Sequence, residues 1–150
     1  MTHNDFDIII IGGGHAGVEA ALVAARMGKT VGLMTMESGK LALMSCNPAI
    51  GGVGKSHMVK EIDALGGIMA RAADYAGVQF RRLNLSRGPA VWSTRVQCDR
   101  RDYNRFVCET VAAEEKITII ETLAGAFMVE DNQIVGVRDE SGKEYSCGAC

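Results

Sequence analysis

The sequence has little that points to a membrane, a secreted framework or a polyanionic partner. Its net charge is −2 over 150 residues, so no global electrostatic pull toward nucleic acid is implied. No apolar run reaches the ~18 residues that read as a membrane span. Met1 to Asp7 is short and polar, without the features of a secretory signal. The five cysteines are an odd number at irregular spacing, which favours reduced thiols in a cytoplasm over a disulfide framework. His3 and His57 show no metal-ligand spacing. There is no linker and no internal repeat. The length allows one domain, large enough for a core.

What is present is concentrated near the start. Ile8 to Ile11 form an uncharged β-branched run, which predicts a strand buried on both faces of a parallel sheet. Gly12, Gly14 and Gly17 follow in G-x-G-x-x-G spacing, and Val18 to Met27 read as an Ala-rich helix without Gly or Pro. Strand, glycine turn and helix together form a dinucleotide-binding context. The first glycine permits the tight turn, the second lets backbone approach a pyrophosphate, and the third lets the helix pack on the strand. The helix start offers free N–H groups and a positive dipole end to the phosphates. A second strand is predicted at Thr30 to Thr35. Glu37, just beyond it and about 20 residues past Gly17, has the spacing of a ribose-binding carboxylate. A solvated loop acid fits the same position.

Further on, residues 38–56 read as a long glycine-bearing loop without regular structure, of the kind that is usually functional. Helical patterning follows at His57 to Leu65 and, after Gly66-Gly67, at Ile68 to Tyr75. Val78 to Leu83 suits a short strand, and Ser86 to Arg95 is a breaker followed by a mixed run. Asp99 is a candidate N-cap for a helix reaching about Glu115, with Tyr103, Phe106, Val107, Thr110 and Val111 inward. Ile117 to Glu121 predicts a third parallel strand. Ala124 to Val129, Ile134 to Asp139 and Glu144 to Cys147 predict an antiparallel meander with short turns. The expected fold is therefore α/β: a Rossmann-type FAD-binding domain, a parallel sheet with helices plus a small antiparallel meander. No closing strand is evident before Cys150, which leaves a sheet edge expected to be unpaired and prone to aggregation.

Five other features bear on the chemistry. Residues 49–56 match a relaxed phosphate-loop pattern, but Met-Ser-Cys-Asn-Pro precedes them instead of a buried strand. Cys147 and Cys150 form a C-x-x-C inside a predicted strand, where they point to opposite faces; this favours a structural role. Cys46 lies in the glycine-bearing loop, where an inert packed thiol and a nucleophile both fit. Cys98 and Cys108 read as packing residues. Arg81, Arg82, Arg87, Arg95, Arg100, Arg101 and Arg105 form the one local hint of an anionic partner, RNA included, against the alternative of a solvated face. His15, inside the glycine turn, suits contact with cofactor or neighbouring backbone, with no partner that would make it a base.

Four blocks taken together resemble the MnmG/GidA family of tRNA uridine 5-carboxymethylaminomethyl modification enzymes. They are Ile-Gly-Gly-Gly-His-Ala-Gly-Val-Glu-Ala-Ala, Met-Ser-Cys-Asn-Pro-Ala-Ile-Gly-Gly-Val-Gly-Lys, Lys-Glu-Ile-Asp-Ala-Leu-Gly-Gly and Gly-Pro-Ala-Val. The resemblance covers nearly the whole chain, and the block around Cys46 is its most specific part. It implies a cytoplasmic, homodimeric flavoprotein. With the GTPase MnmE, such an enzyme installs a carboxymethylaminomethyl (aminomethyl-type) group on carbon-5 of the tRNA wobble uridine. FAD would be the cofactor, with NADH and methylene-tetrahydrofolate as co-substrates and glycine or ammonium as a reactant. Carried over by residue, Gly12, Gly13, Gly14, His15, Ala16 and Gly17 would bind the FAD pyrophosphate, and Ala124 would offer backbone to the adenine. Cys46 would be the nucleophile adding to carbon-6 of the uracil, and the arginine-rich stretch a tRNA or folate contact. Trp92 stands where many bacterial members carry arginine. Glu37 stands where many members are not acidic, so its ribose role rests on fold alone. Family members are several times longer. The resemblance thus implies the N-terminal part of an FAD-binding Rossmann domain, truncated at its C-terminus, without the NADH region, the second cysteine or the partner-binding helices, and inactive in isolation. Two other readings fit the glycine turn: another two-dinucleotide FAD oxidoreductase acting on a small metabolite, and an inactive nucleotide-binding module.

Overall fold

The computed structural model describes residues 5–150; His3 and the other residues before Asp5 lie outside the described residues. In chain order the elements begin with β1 (Phe6–Ile11), α1 (His15–Arg26), β2 (Val31–Thr35) and β3 (Ala49–Gly51). Next come α2 (Lys55–Ala64), α3 (Met69–Ala76), β4 (Gly77–Leu83), β5 (Ser93–Cys98) and α4 (Arg100–Ala112). The last four are β6 (Ile117–Glu121), β7 (Ala124–Glu130), β8 (Gln133–Asp139) and β9 (Glu144–Ala149). The chain divides into two compact units, one of the residues up to Leu41 and from Thr110, the other of Ala42–Glu109. Among the described residues no helix is long and apolar enough to cross a membrane.

The first unit is a six-stranded sheet in the order β6-β2-β1-β9-β8-β7. β1, β2 and β6 are parallel, with Ile8 opposite Val31 and Val31 opposite Ile117. One face holds Ile9, Met34, Val137 and Cys147 in a buried cluster. On α1, Val18, Ala21, Leu22 and Ala25 are buried. Burial on both faces of β1 is less complete than its composition predicts: Ile9 is fully buried, but Ile8 and Ile10 only partly and Ile11 is exposed. Ile11 lies at the carboxyl end of the strand, where the chain turns into Gly12 and cover runs out. Asp7 and Thr30 lock the other end reciprocally. The Thr30 amide donates to Asp7 Oδ2 at 2.8 Å, and the Asp7 amide donates to Thr30 Oγ1 at 2.9 Å.

The meander forms as expected, turning at Asp131-Asn132, both in left-handed conformation. The expected open edge does not hold at β1, which has neighbours on both sides. β9 runs on to Ala149 and pairs parallel with β1, Phe6 opposite Cys147 and Ile8 opposite Ala149. Backbone pairing with a partner some 140 residues away carries the strand through Gly148-Ala149, which lack strand propensity. Asp5 pins the junction: its Oδ2 accepts from the Ser146 amide at 2.9 Å.

In the second unit, β5 is the centre of a three-stranded antiparallel sheet ordered β3-β5-β4. This corrects the sequence reading twice. Residues 38–56 are not wholly irregular, since they hold a 3-10 turn at Ser38–Lys40 and the strand β3, whose Ile50 pairs with Val96. The mixed run ending at Arg95 enters a regular strand, Ser93–Cys98. α2 starts at Lys55, two residues early, because Gly54 takes φ +75° as its N-cap, a conformation that suits glycine. The apolar core of the unit includes Ile68, Ala72, Ala73, Ala76, Val96 and Cys98. Asp99 caps α4, its Oδ1 accepting from the amides of Arg101 (2.8 Å) and Asp102 (2.9 Å), and those bonds hold its carboxyl below the usual range. Tyr103, Val107 and Val111 form the buried stripe of α4; Phe106 packs on Tyr75 with ring centroids 4.9 Å apart.

Candidate functional site

In the first unit, three parallel strands deliver their carboxyl ends to the predicted cofactor residues. The glycine turn follows β1, Glu37 follows β2, and Ala124 lies just after β6. The crevice at such ends, where neighbouring strands lead in different directions, is where open α/β sheets bind ligands. Gly12 has φ +106°, the left-handed turn the first motif glycine must make. A Cβ on Gly13 would come within 2.7 Å of Thr35 Oγ1, so this position is closed by packing. A Cβ on Gly17 would run into the carbonyl oxygen of Gly12, so the third glycine is required for helix and turn to touch. Gly14 differs: a Cβ there would meet nothing within 4 Å. The open space at the second motif glycine is where a pyrophosphate would approach.

The helix end behind it is prepared for an anion. Gly14 is the N-cap of α1 and supplies no side-chain cap, and no acidic residue occupies the first turn. The first helical bond runs from the Val18 amide to the Gly14 carbonyl at 2.9 Å, so the amides of Ala16 and Gly17 precede the helical ladder. The dipole end is thus left for an incoming phosphate. His15 opens the helix half-buried; burial pushes its imidazole pKa down, against the opposing pull of Glu19, and so favours the neutral ring. These residues fit the pyrophosphate of a dinucleotide, as FAD carries. Gly14, Ala16 and Gly17 would hold its phosphates.

Glu37 is exposed, and its Oε1 pairs with Lys40 Nζ at 2.7 Å. Ala124 is half-buried, at the start of β7 opposite Asp139. Asp139, which the sequence did not single out, holds this corner together. Its Oδ1 accepts from Ser141 Oγ (2.6 Å) and the amides of Ser141 (2.9 Å) and Lys143 (3.0 Å). Its Oδ2 accepts from Tyr145 Oη (3.3 Å) and Thr122 Oγ1 (3.4 Å). The Ser141 hydroxyl first, then the amides and Tyr145, hold its carboxyl pKa below the ordinary value. The only advance signal was the Asp-Glu-Ser-Gly turn pattern.

In the second unit, Cys46 is an exposed free thiol, not a packed one. Its carbonyl accepts a 2.7 Å hydrogen bond from Arg100 Nη2, which anchors the loop to α4. The thiol lines a cavity of about 480 Å³ with Asn47, Gly52, Lys55 and Arg95. The arginine cluster does not act as one patch. Arg100 is taken by Cys46, Arg105 by Asp102 (2.8 Å) and the Tyr75 hydroxyl (3.1 Å), and Arg82 lies 5.1 Å over the Trp92 ring. Arg81 and Arg95 are brought face to face across the β4–β5 ladder.

The other motifs resolve as packing. The phosphate-loop pattern contains its strand, β3, inside the motif, so only Gly52–Gly54 separate strand from helix, too few to wrap a phosphate, and Ser56 is buried. Cys147 lies in the core of the first unit while Cys150 is exposed, and burial raises both thiol pKa values. Cys98 is buried and Cys108 half-buried.

A family model described as glucose inhibited division protein A matches residues 7–150. The structure of Aquifex aeolicus GidA in its form II crystal is similar at 43% identity and TM-score 0.94, covering 99% of this chain and 25% of that one. The form I crystal gives 45% identity and TM-score 0.93, covering 95% and 24%. The probable FAD-dependent monooxygenase pqsL from Pseudomonas aeruginosa shares the fold at 19% identity and TM-score 0.66, covering 95% of this chain and 40% of that one. This chain therefore spans about a quarter of the length of the GidA structures it matches.

Proposed function

This chain belongs to the glucose inhibited division protein A (GidA) family, and from that membership we propose that it supplies the flavin site and the reactive thiol of an FAD-dependent tRNA-modifying enzyme. The observation that carries the reading is the uncapped start of α1 with open space at Gly14, in a chain that matches the family over residues 7–150.

The bound flavin would supply hydride and electron transfer. The chain's own contribution is binding and activation. The amides of Ala16 and Gly17 and the dipole of α1 hold the pyrophosphate, and the missing side chain at Gly14 admits it. Burial favours the neutral form of His15 beside it. Glu37 accepts from the adenosine ribose, and the backbone at Ala124 meets the adenine. Cys46 Sγ, as thiolate, forms a bond to carbon-6 of the wobble uracil. The ring's electron pair moves to carbon-5, which attacks a one-carbon electrophile. Loss of the carbon-5 proton then expels the thiolate and restores the ring. The group installed is carboxymethylaminomethyl or its aminomethyl relative. NADH and methylene-tetrahydrofolate serve as co-substrates, and a homodimer works with the GTPase MnmE in the cytoplasm.

The test is nucleoside analysis of tRNA from cells whose own gene is deleted. Complementation with the wild-type gene is expected to restore the modified wobble uridine, and complementation with Cys46→Ala is not, while the variant keeps its flavin. Unmodified tRNA with both genes would sink the substrate assignment and leave a flavin oxidoreductase acting on another molecule.

A further inference from the structure

The small sheet of the second unit has two unlike faces. On one, Ile50, Thr94 and Val96 line a cavity with Val59 of α2 and Ala73 of α3, so helices cover its β3–β5 part, while Phe80 and Arg82 of β4 on the same face are exposed. The other carries Gln79, Arg81 and Leu83 from β4 and Arg95 and Gln97 from β5, which line a groove of about 130 Å³. Register places Arg81 directly opposite Arg95 and Gln79 opposite Gln97. Like charges directly opposite each other destabilise a sheet. Neither arginine has an ion pair among the described residues, although Arg105 and Arg138 each find a carboxylate. Arg95 and Leu83 also line the Cys46 cavity, together with Lys55, so groove and cavity share a wall. Arg81, Arg95 and Lys55 are their charged lining residues, and no carboxylate lines either. On a chain of net charge −2, this is a local concentration of positive charge.

We propose that this open face is a track for the phosphodiester backbone of single-stranded RNA, with Arg81 and Arg95 each taking a phosphate and the glutamine pair flanking them, so that a base is delivered toward Cys46. This rests on the reading of the protein as a tRNA-modifying enzyme. Planar guanidinium forks suit phosphate oxygens, and an anion between the two arginines turns their repulsion into attraction. A groove that continues into the larger cavity suits a strand better than one small anion. Such contacts position the strand and carry no sequence information. Asn47 and the Cys46 loop would meet the base.

The test is fluorescence anisotropy of a labelled anticodon stem–loop RNA at a series of salt concentrations. It uses the flavin-loaded protein with its full native chain, as wild type, Arg81→Gln/Arg95→Gln and Arg81→Lys/Arg95→Lys. Each lost phosphate contact lowers the slope of log K against log salt by roughly 0.7 on a single strand. The glutamine pair is expected to flatten the slope by roughly 1 to 2 and to weaken binding at least tenfold at low salt, equally for an RNA lacking the wobble uridine. The lysine pair is expected to restore the slope, with flavin content and melting temperature no lower than wild type in either variant. An unchanged slope in the glutamine variant, with wild type binding RNA, would overturn the track and leave the tRNA reading standing. A flavin-loaded wild type that binds no RNA would overturn both. Complete displacement of the RNA by inorganic phosphate at constant ionic strength would assign the arginine pair to one small anion and overturn the track.

Discussion

Gly14→Ser separates a glycine kept for a ligand from a glycine kept for packing. Gly14 has φ −73° and ψ −178°, extended backbone that serine adopts without strain, and a Cβ there meets nothing within 4 Å. Serine is also a better N-cap than glycine by a few tenths of a kcal/mol, because its hydroxyl can accept from the amide two or three residues on. In this helix those are the Ala16 and Gly17 amides, the donors assigned to the pyrophosphate. The substitution is therefore expected to leave the flavin-free protein as stable as wild type or slightly more so. It also fills the approach and takes a donor. One charge-assisted hydrogen bond is worth about 1.5–3 kcal/mol. At about 1.4 kcal/mol per tenfold, its loss weakens flavin binding by roughly ten- to 150-fold. Gly17→Ala should behave in the opposite way. Helix propensity alone predicts a gain of about 1 kcal/mol. The collision with the Gly12 carbonyl instead forces backbone to move, an overpacking cost of about 1–3 kcal/mol. The apo protein is then expected to lose up to ~2 kcal/mol. Urea unfolding of the flavin-free proteins, together with flavin titration followed by visible absorption, reads both quantities. A Gly14→Ser protein that binds flavin with wild-type affinity would refute the approach of the phosphates at Gly14.

Three further outcomes follow from single contacts. Arg100→Ala removes the 2.7 Å anchor on the Cys46 carbonyl, so modified-uridine yield should fall while flavin content holds; equal yield would show that the loop positions its thiol without α4. Cys46→Ala, at an exposed position, should change stability by no more than about 0.5 kcal/mol, so a large drop in urea midpoint would mean a packing role. Asp139 has a folded pKa below its ordinary 3.8, so its contribution to stability is full above 3.8 and is lost as pH falls on through the lower folded value. Asp139→Asn should lower the urea midpoint at neutral pH, and the gap to wild type should begin to narrow only as pH falls below 3.8; a gap constant with pH would show that the charge contributes nothing.

The elements that could be read in advance are those whose cause is local. Ile8 to Ile11 with the glycine turn, the Asp99 cap and the meander turns each carry their signal within a few residues, and each forms. β3 and the last residues of β9 depend on distant partners: Ile50 is extended because Val96 lies opposite, and Gly148-Ala149 because β1 pairs with them. β5 was missed for a different reason. Its residues alternate, but Ser93, Arg95 and Gln97 occupy one face and only Val96 and Cys98 mark the other as core. The arginine-rich stretch was visible as a charge cluster, yet linear proximity misassigned it. Arg81 and Arg82 are neighbours in sequence and point to opposite faces, while Arg81 and Arg95, fourteen positions apart, meet across a ladder. A strand that gives up apolar residues on one face forfeits the pattern that would reveal it. It also forfeits burial that would stabilise it, so the open face needs another source of selection. Two arginines opposed on that face, with no ion pair among the described residues and next to an exposed thiol, are the feature that the proposed anionic strand would explain.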